Sequence, residues 1–179
     1  MRNRFESALP FPAYLETVRR NEELWRAIND RVRLPAAVVD EARDLPGTWH
    51  LLALSEDWCG DAINILPVLD RLTEALDRVD LRVLTRDDNL DIMDAHLTNG
   101  TSRSIPVVIL LDEDYRERGW WGPRPTELQK WVMEDGMKME PGPRYAQVRR
   151  FYARDKGKTV LKEVLDLVRS AAGEPRSGA

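Results

Sequence analysis

The sequence predicts an α/β fold, a mixed β-sheet flanked by helices with further helices added before and after it. Three observations predict it. From Thr48 onward, apolar segments run in the order strand, helix, strand, helix, strand, strand, helix. The buried run His50 to Leu54 breaks into a tight turn, Ser55-Glu56-Asp57-Trp58-Cys59-Gly60-Asp61-Ala62, and passes directly into the apolar stretch Ile63 to Leu69. At 179 residues and 42% apolar content, the chain can bury one core of ordinary domain size.

Residues Pro12 to Ile28 place Tyr14, Leu15, Val18, Leu24, Trp25 and Ile28 at helical spacing, with Pro12 suited to a first turn. A second short helix starts near Pro35 and stops before Leu45-Pro46-Gly47. Residues 1–47 thus read as a helical extension docked through Phe11, Tyr14 and Trp25. In the core, 48–134, His50 to Leu54 and Leu81 to Thr85 read as strands around a helix over Asp61 to Leu76. Asn89 to Leu97 reads as a short helix with Asn89 as its N-cap, closed by Asn99-Gly100. Pro106 to Leu111 is a strongly apolar strand. The polar turn Asp112-Glu113-Asp114 leads to an edge strand over Tyr115 to Trp121, and Thr126 caps a helix through Val132. Residues 135–179 form a C-terminal helical extension packed on the core. After a connector over Glu134 to Gly142, one helix or two span Pro143 to Ala171, with a break at Gly157, before a frayed tail from Gly173.

Charged residues make up 32% of the chain, yet the net charge is -4, so the surface carries both signs. There is no basic field for nucleic acid, no apolar run near the roughly 18 residues a membrane span needs, and no apolar segment behind Met1 to act as a signal. The one cysteine, Cys59, forms no internal disulfide; the expected location is the reducing cytoplasm. With Cys59, His50 and His96 as the only soft ligands, the expectation is no metal site and no resident cofactor.

The chemistry gathers on Cys59. A turn between a buried strand and a helix sets its side chain at the helix N-terminus, where the dipole and free N–H groups favour a thiolate over the free thiol's value of about 8.5. Trp58 supplies a flat apolar wall. Asp61, with Glu56 and Asp57, works in the opposite direction.

Trp58-Cys59-Gly60-Asp61-Ala62, with Pro67 eight residues after the cysteine, resembles the active-site turn and kinked first helix of the thioredoxin family. Arg103-Ser104-Ile105-Pro106-Val107-Val108 resembles the family's cis-proline strand. The resemblance covers Thr48 to Val132. It implies a thioredoxin-like four-stranded sheet in the order 2-1-3-4, whose first and third strands run antiparallel and bring Cys59 level with Pro106. It also implies thiol-disulfide exchange with Cys59 as nucleophile, the Gly60 and Asp61 N–H groups stabilising its thiolate, and Ile105 with Pro106 positioning a substrate strand. Arg103 and Ser104 are placed to contact a carboxylate or amide of a bound thiol compound.

The departures matter as much. Ala62 stands where the family's second cysteine would be, Ala53 where its buried acid would be, and Asp61 where its proline would be. A single active thiol then needs an outside thiol to resolve it, from a protein or from a small molecule such as glutathione, as in monothiol glutaredoxin-like proteins. A cluster-bridged dimer of that type is a further reading, with the oligomeric state open. The rival is a binding module that keeps the peptide groove without catalysis and works through contacts such as Trp120 and Trp121; in the plainer reading one or both of these tryptophans anchor the C-terminal helices. In the plainest reading, Cys59 is a small turn residue and Asp61 a first-turn acid.

Overall fold

The structure, a computed structural model, describes residues 1–173; the tail expectation for residues 174–179 lies outside it. In chain order the elements are α1 (Arg2–Ser7), β1 (Leu9–Pro10), α2 (Phe11–Thr17), α3 (Glu22–Arg31), α4 (Ala36–Arg43), β2 (Trp49–Ser55), α5 (Gly60–Glu74), β3 (Val79–Thr85), α6 (Leu90–Asp94), β4 (Val107–Leu111), β5 (Glu117–Trp121), α7 (Thr126–Glu134), α8 (Pro141–Asp155) and α9 (Lys158–Ala171).

The sheet has five strands in the order β1-β3-β2-β4-β5. Four of them follow the expected arrangement: β2 pairs parallel with β3 and antiparallel with β4, and β4 pairs antiparallel with β5. The fifth corrects the four-stranded expectation. Leu9 and Pro10 lie antiparallel to Val83 and Arg82, and Pro10, which has no N–H to donate, suits only such an edge. Two residues carry no readable strand period, so nothing in the sequence marked them. Residues 51–54 of β2 and all of β4 are buried, because helices cover both faces of the sheet.

The N-terminal segment is also cut differently from the predicted single helix over Pro12 to Ile28. α2 ends at Thr17 and α3 starts after Asn21, which is left-handed at φ 58°. The break is held from the core, since one Asp57 carboxylate oxygen accepts the backbone N–H groups of Arg19 and Arg20. Asn89 does stand at the N-cap of α6, but its side chain makes no cap bond there; it accepts from Arg4 and donates to the Thr85 carbonyl. Thr126 is the first residue of α7 rather than its cap, and its N–H donates to Glu163.

At the C-terminus two helices form, and Gly157 separates them with φ +81°. A β-carbon at Gly157 would press into Val68, so the close approach as well as the turn requires glycine. α9 lays Val160, Leu161, Val164, Leu165 and Val168 into the core.

Asp70, on α5, is buried, and burial pushes its carboxyl up to about 6, with Glu74 adding and Arg71 opposing. The unfolded value is about 3.9. The native state therefore holds a proton that the unfolded chain has already released, and this contribution is intact below about pH 4 and lost as pH rises through 6. Asp70→Asn should accordingly stabilise the protein by about 1–2 kcal/mol at pH 7.5 and by almost nothing at pH 4, read from urea midpoints. Equal effects at both values would rule out the ionisation as the cause.

Candidate functional site

β2 ends at Ser55, and the next four residues turn the chain into α5 with Cys59 as its N-cap. The Ala62 N–H donates to the Cys59 sulfur at 3.5 Å, and the thiol in turn donates to the Ile105 carbonyl at 3.4 Å. Leu54 pairs with Val107 across the sheet, which sets the end of β2 beside the start of β4 and so Cys59 beside the cis Ile105–Pro106 bond. Gly122 completes this junction. At φ +131°, a β-carbon there would fall on the Pro106 carbonyl oxygen.

The thiol does not ionise easily, contrary to the expectation from its place at a helix end. Only 5% of Cys59 is exposed, and burial pushes its pKa up to about 11, with Asp61 as the next cause. The Ala62 and Asp61 N–H groups and Arg124 pull the other way and lose. At pH 7 about one thiol in ten thousand is ionised, against a few per cent for a free one. The higher basicity returns only about tenfold in intrinsic nucleophilicity, so the net effect is a slow nucleophile.

Two of the three carboxylates expected to raise this thiol are otherwise engaged. Glu56 accepts the Asp87 N–H, and Asp57 holds the α2–α3 break. The Gly60 N–H, expected to stabilise a thiolate, makes no bond to the sulfur; Gly60 is an exposed first residue of α5 with open space where a β-carbon would go. The fully buried Ala62 methyl stands where a resolving thiol would be needed.

Asp61 is the centre of a buried polar cluster. One of its oxygens pairs with Arg124 at 2.6 Å and the other accepts from the Tyr152 hydroxyl at 2.9 Å; Arg124 also donates to Gln129 at 2.9 Å. Burial pushes Asp61 above its ordinary value, while Arg124 and Tyr152 oppose the shift. The cluster pins α8 to the start of α5. The sequence offered one signal for it, an acid at a position where the family has proline, but none that named Arg124 or Tyr152 as partners.

Arg103 is paired with Asp94 at 2.7 Å, and the Ser104 hydroxyl bonds Ser102 at 2.8 Å, so both expected ligand contacts face neighbours of their own. Trp58 is 41% exposed, with the Arg86 guanidinium 5.2 Å above its ring. The tryptophan pair follows the anchoring reading rather than the open surface of the rival. Trp121 is buried and donates to Glu163 of α9 at 2.7 Å, and Trp120 packs edge-on against His96. His96 bonds the Ile92 carbonyl and Glu117, and His50 bonds Asp80. Among the described residues no group of three His, Cys, Asp or Glu side chains is placed to hold a metal, and no helix is long and apolar enough to cross a membrane.

Cys59 opens onto a cleft of about 1140 Å³ whose walls include Trp58, Ile63, Ser104, Ile105, Tyr145 and Tyr152. The same overall architecture occurs in solved structures. A protein of unknown function from Pseudomonas aeruginosa superposes with a TM-score of 0.74 at 20% identity, over 93% of this chain and 95% of that one. A crystallised HIV epitope scaffold gives a TM-score of 0.74 at 18% identity, again over 93% of this chain and 95% of that one. These likenesses show the fold. No curated protein matches. The sequence itself matches a family profile described as Thioredoxin over residues 8–140, most of the chain, and with the β2–α5 turn and the Ile105–Pro106 junction in place, the chain belongs to the thioredoxin family.

Proposed function

We propose that the protein is a thioredoxin-fold binding module that seats an extended segment of a partner along Ser104 and Ile105, with Cys59 as a neutral thiol in the floor of the cleft. The observation that carries this reading is the Cys59 environment. The thiol is buried, donates to Ile105 and lies near Asp61, which works with burial against a thiolate and outweighs the opposing Arg124. The groove is meanwhile open. The Ile105 N–H makes no hydrogen bond among the described residues, which suits an added strand.

The test is the alkylation rate of Cys59 against pH, with Cys59→Ser as the blank. The expected midpoint is about 11, with a rate at pH 7 about thirtyfold or more below a free thiol. A midpoint below about 8.5 with fast reaction would overturn the binding-module reading.

One observation favours a second reading. Cys59 faces the cleft from a helix N-terminus with the Ala62 N–H aimed at its sulfur, a placement suited to a single-thiol exchange site resolved by an outside protein thiol or by a small thiol such as glutathione. That reading requires the low midpoint just described. Either role suits a reducing cytoplasm.

A further inference from the structure

The cleft over Cys59 carries an unbalanced charge. Seven cationic side chains line it, against the single carboxylate of Asp61. Three are already matched: Arg86 by Asp87, Arg103 by Asp94 and Arg124 by Asp61. Arg31, Arg33, Arg149 and Lys156 have no carboxylate within ion-pair distance among the described residues; Arg33 bonds only the Asp30 and Val32 carbonyls. Four uncompensated positive charges thus gather in one cleft of a chain whose net charge is -4. The local field opposes the sign of the whole molecule, which is how a protein selects an oppositely charged partner and speeds its approach.

The arrangement also bears on the shape of that partner. Arg31 and Arg33 come from the end of α3 and the residues just after it, whereas Arg149 and Lys156 come from α8 and its C-cap, so the charge is spread over two walls. The helix N-terminus in the cleft, that of α5, is capped by the Cys59 sulfur and offers no cradle for a compact phosphate. At about 1140 Å³ the space exceeds the usual range for small-molecule sites, about 300–1,000 Å³. Trp58 and Tyr145, 41% and 52% exposed, give it apolar surface between the cations.

We propose that the occupant is an acidic, extended segment of a partner protein, its carboxylates alternating with apolar side chains. The carboxylates meet the four free cations, the apolar side chains rest on Trp58 and Tyr145, and the backbone pairs with Ile105. The proposal rests on the strand-addition reading above and adds the charge of the partner.

Fluorescence anisotropy on the full chain tests it, with three labelled peptides that alternate Val or Leu with Glu, with Gln or with Lys. The Glu peptide should bind about tenfold more tightly than the Gln peptide at low salt, and the Lys peptide not at all; most of the advantage should vanish at about 0.5 M salt. Arg149→Glu with Lys156→Glu, and separately Arg31→Glu with Arg33→Glu, should each weaken the Glu peptide about tenfold and leave the Gln peptide and the unfolding midpoint unchanged. Equal binding of Glu and Gln peptides would overturn the acidic partner and leave the strand-addition reading standing. Failure of all three peptides would overturn both. Displacement of the Glu peptide by inorganic tripolyphosphate at lower concentration than by unlabelled peptide would assign the cleft to a compact polyanion and overturn the proposal.

Discussion

Arg124→Met should cost the folded state about 3–5 kcal/mol at neutral pH, the loss typical of removing one partner from a buried ion pair. Arg124 and Asp61 are paired at 2.6 Å, with side chains only 19% and 10% exposed. Without the guanidinium, Asp61 keeps the Tyr152 hydroxyl alone and must either hold a buried charge or take up a proton. Its folded pKa then rises further above the unfolded value of about 3.9. The sign follows from proton linkage: a raised carboxylate is not penalised below its unfolded pKa and loses stability as pH rises through the folded one. The deficit should therefore be small at pH 4 and full at pH 7.5. Urea denaturation at the two values measures it, and a deficit under about 1 kcal/mol at pH 7.5 would show that the pair is not held dry. Asp61→Asn combined with Arg124→Met should recover most of the loss, because no charge is then left buried. Asp61→Asn should also bring the Cys59 midpoint down from about 11, since it removes the second cause of that shift.

Trp25→Ala should cost a comparable amount, about 3–5 kcal/mol, and should disturb the site as well as the core. Trp25 is fully buried, meets Tyr14 edge-on at 5.8 Å and Phe11 at 6.2 Å, and its indole N–H donates to the Asp57 carbonyl at 2.8 Å. The last contact ties the N-terminal helices to the turn that carries Cys59. Loss of the ring opens a cavity and leaves that carbonyl unpaired, so Cys59 alkylation should accelerate at fixed pH by severalfold relative to wild type. Trp25→Phe separates the two effects. It keeps much of the buried area but not the hydrogen bond, and it should lose about 1–3 kcal/mol with a similar gain in alkylation rate. If Trp25→Ala lowers stability while the alkylation rate stays put, the N-terminal helices are a stabilising cap with no hold on the site.

Local sequence patterns encode the individual pieces and their order. Residues near in the chain carry the period of each strand and helix, so β2, α5, β3, β4 and β5 were readable. The parallel and antiparallel pairings then followed from the family's topology. The same local logic placed Cys59 at a helix start, and the family's topology set Pro106 level with it. Where a short polar signal competed with tertiary contacts, the reading failed. The break at Val18 to Asn21 is held by Asp57 from the core, and β1 exists because β3 offers an edge. The state of the thiol depends on contacts between segments distant in the chain. Asp61 finds Arg124 and Tyr152 from distant parts of the chain, α9 closes over Trp121, and packing around Cys59 leaves only 5% of it exposed. A helix dipole is a local property and burial is not. Desolvation of the sulfur outweighs the few N–H groups that the turn supplies, and the charge lining the cleft comes from helices whose meeting no neighbouring residue encodes.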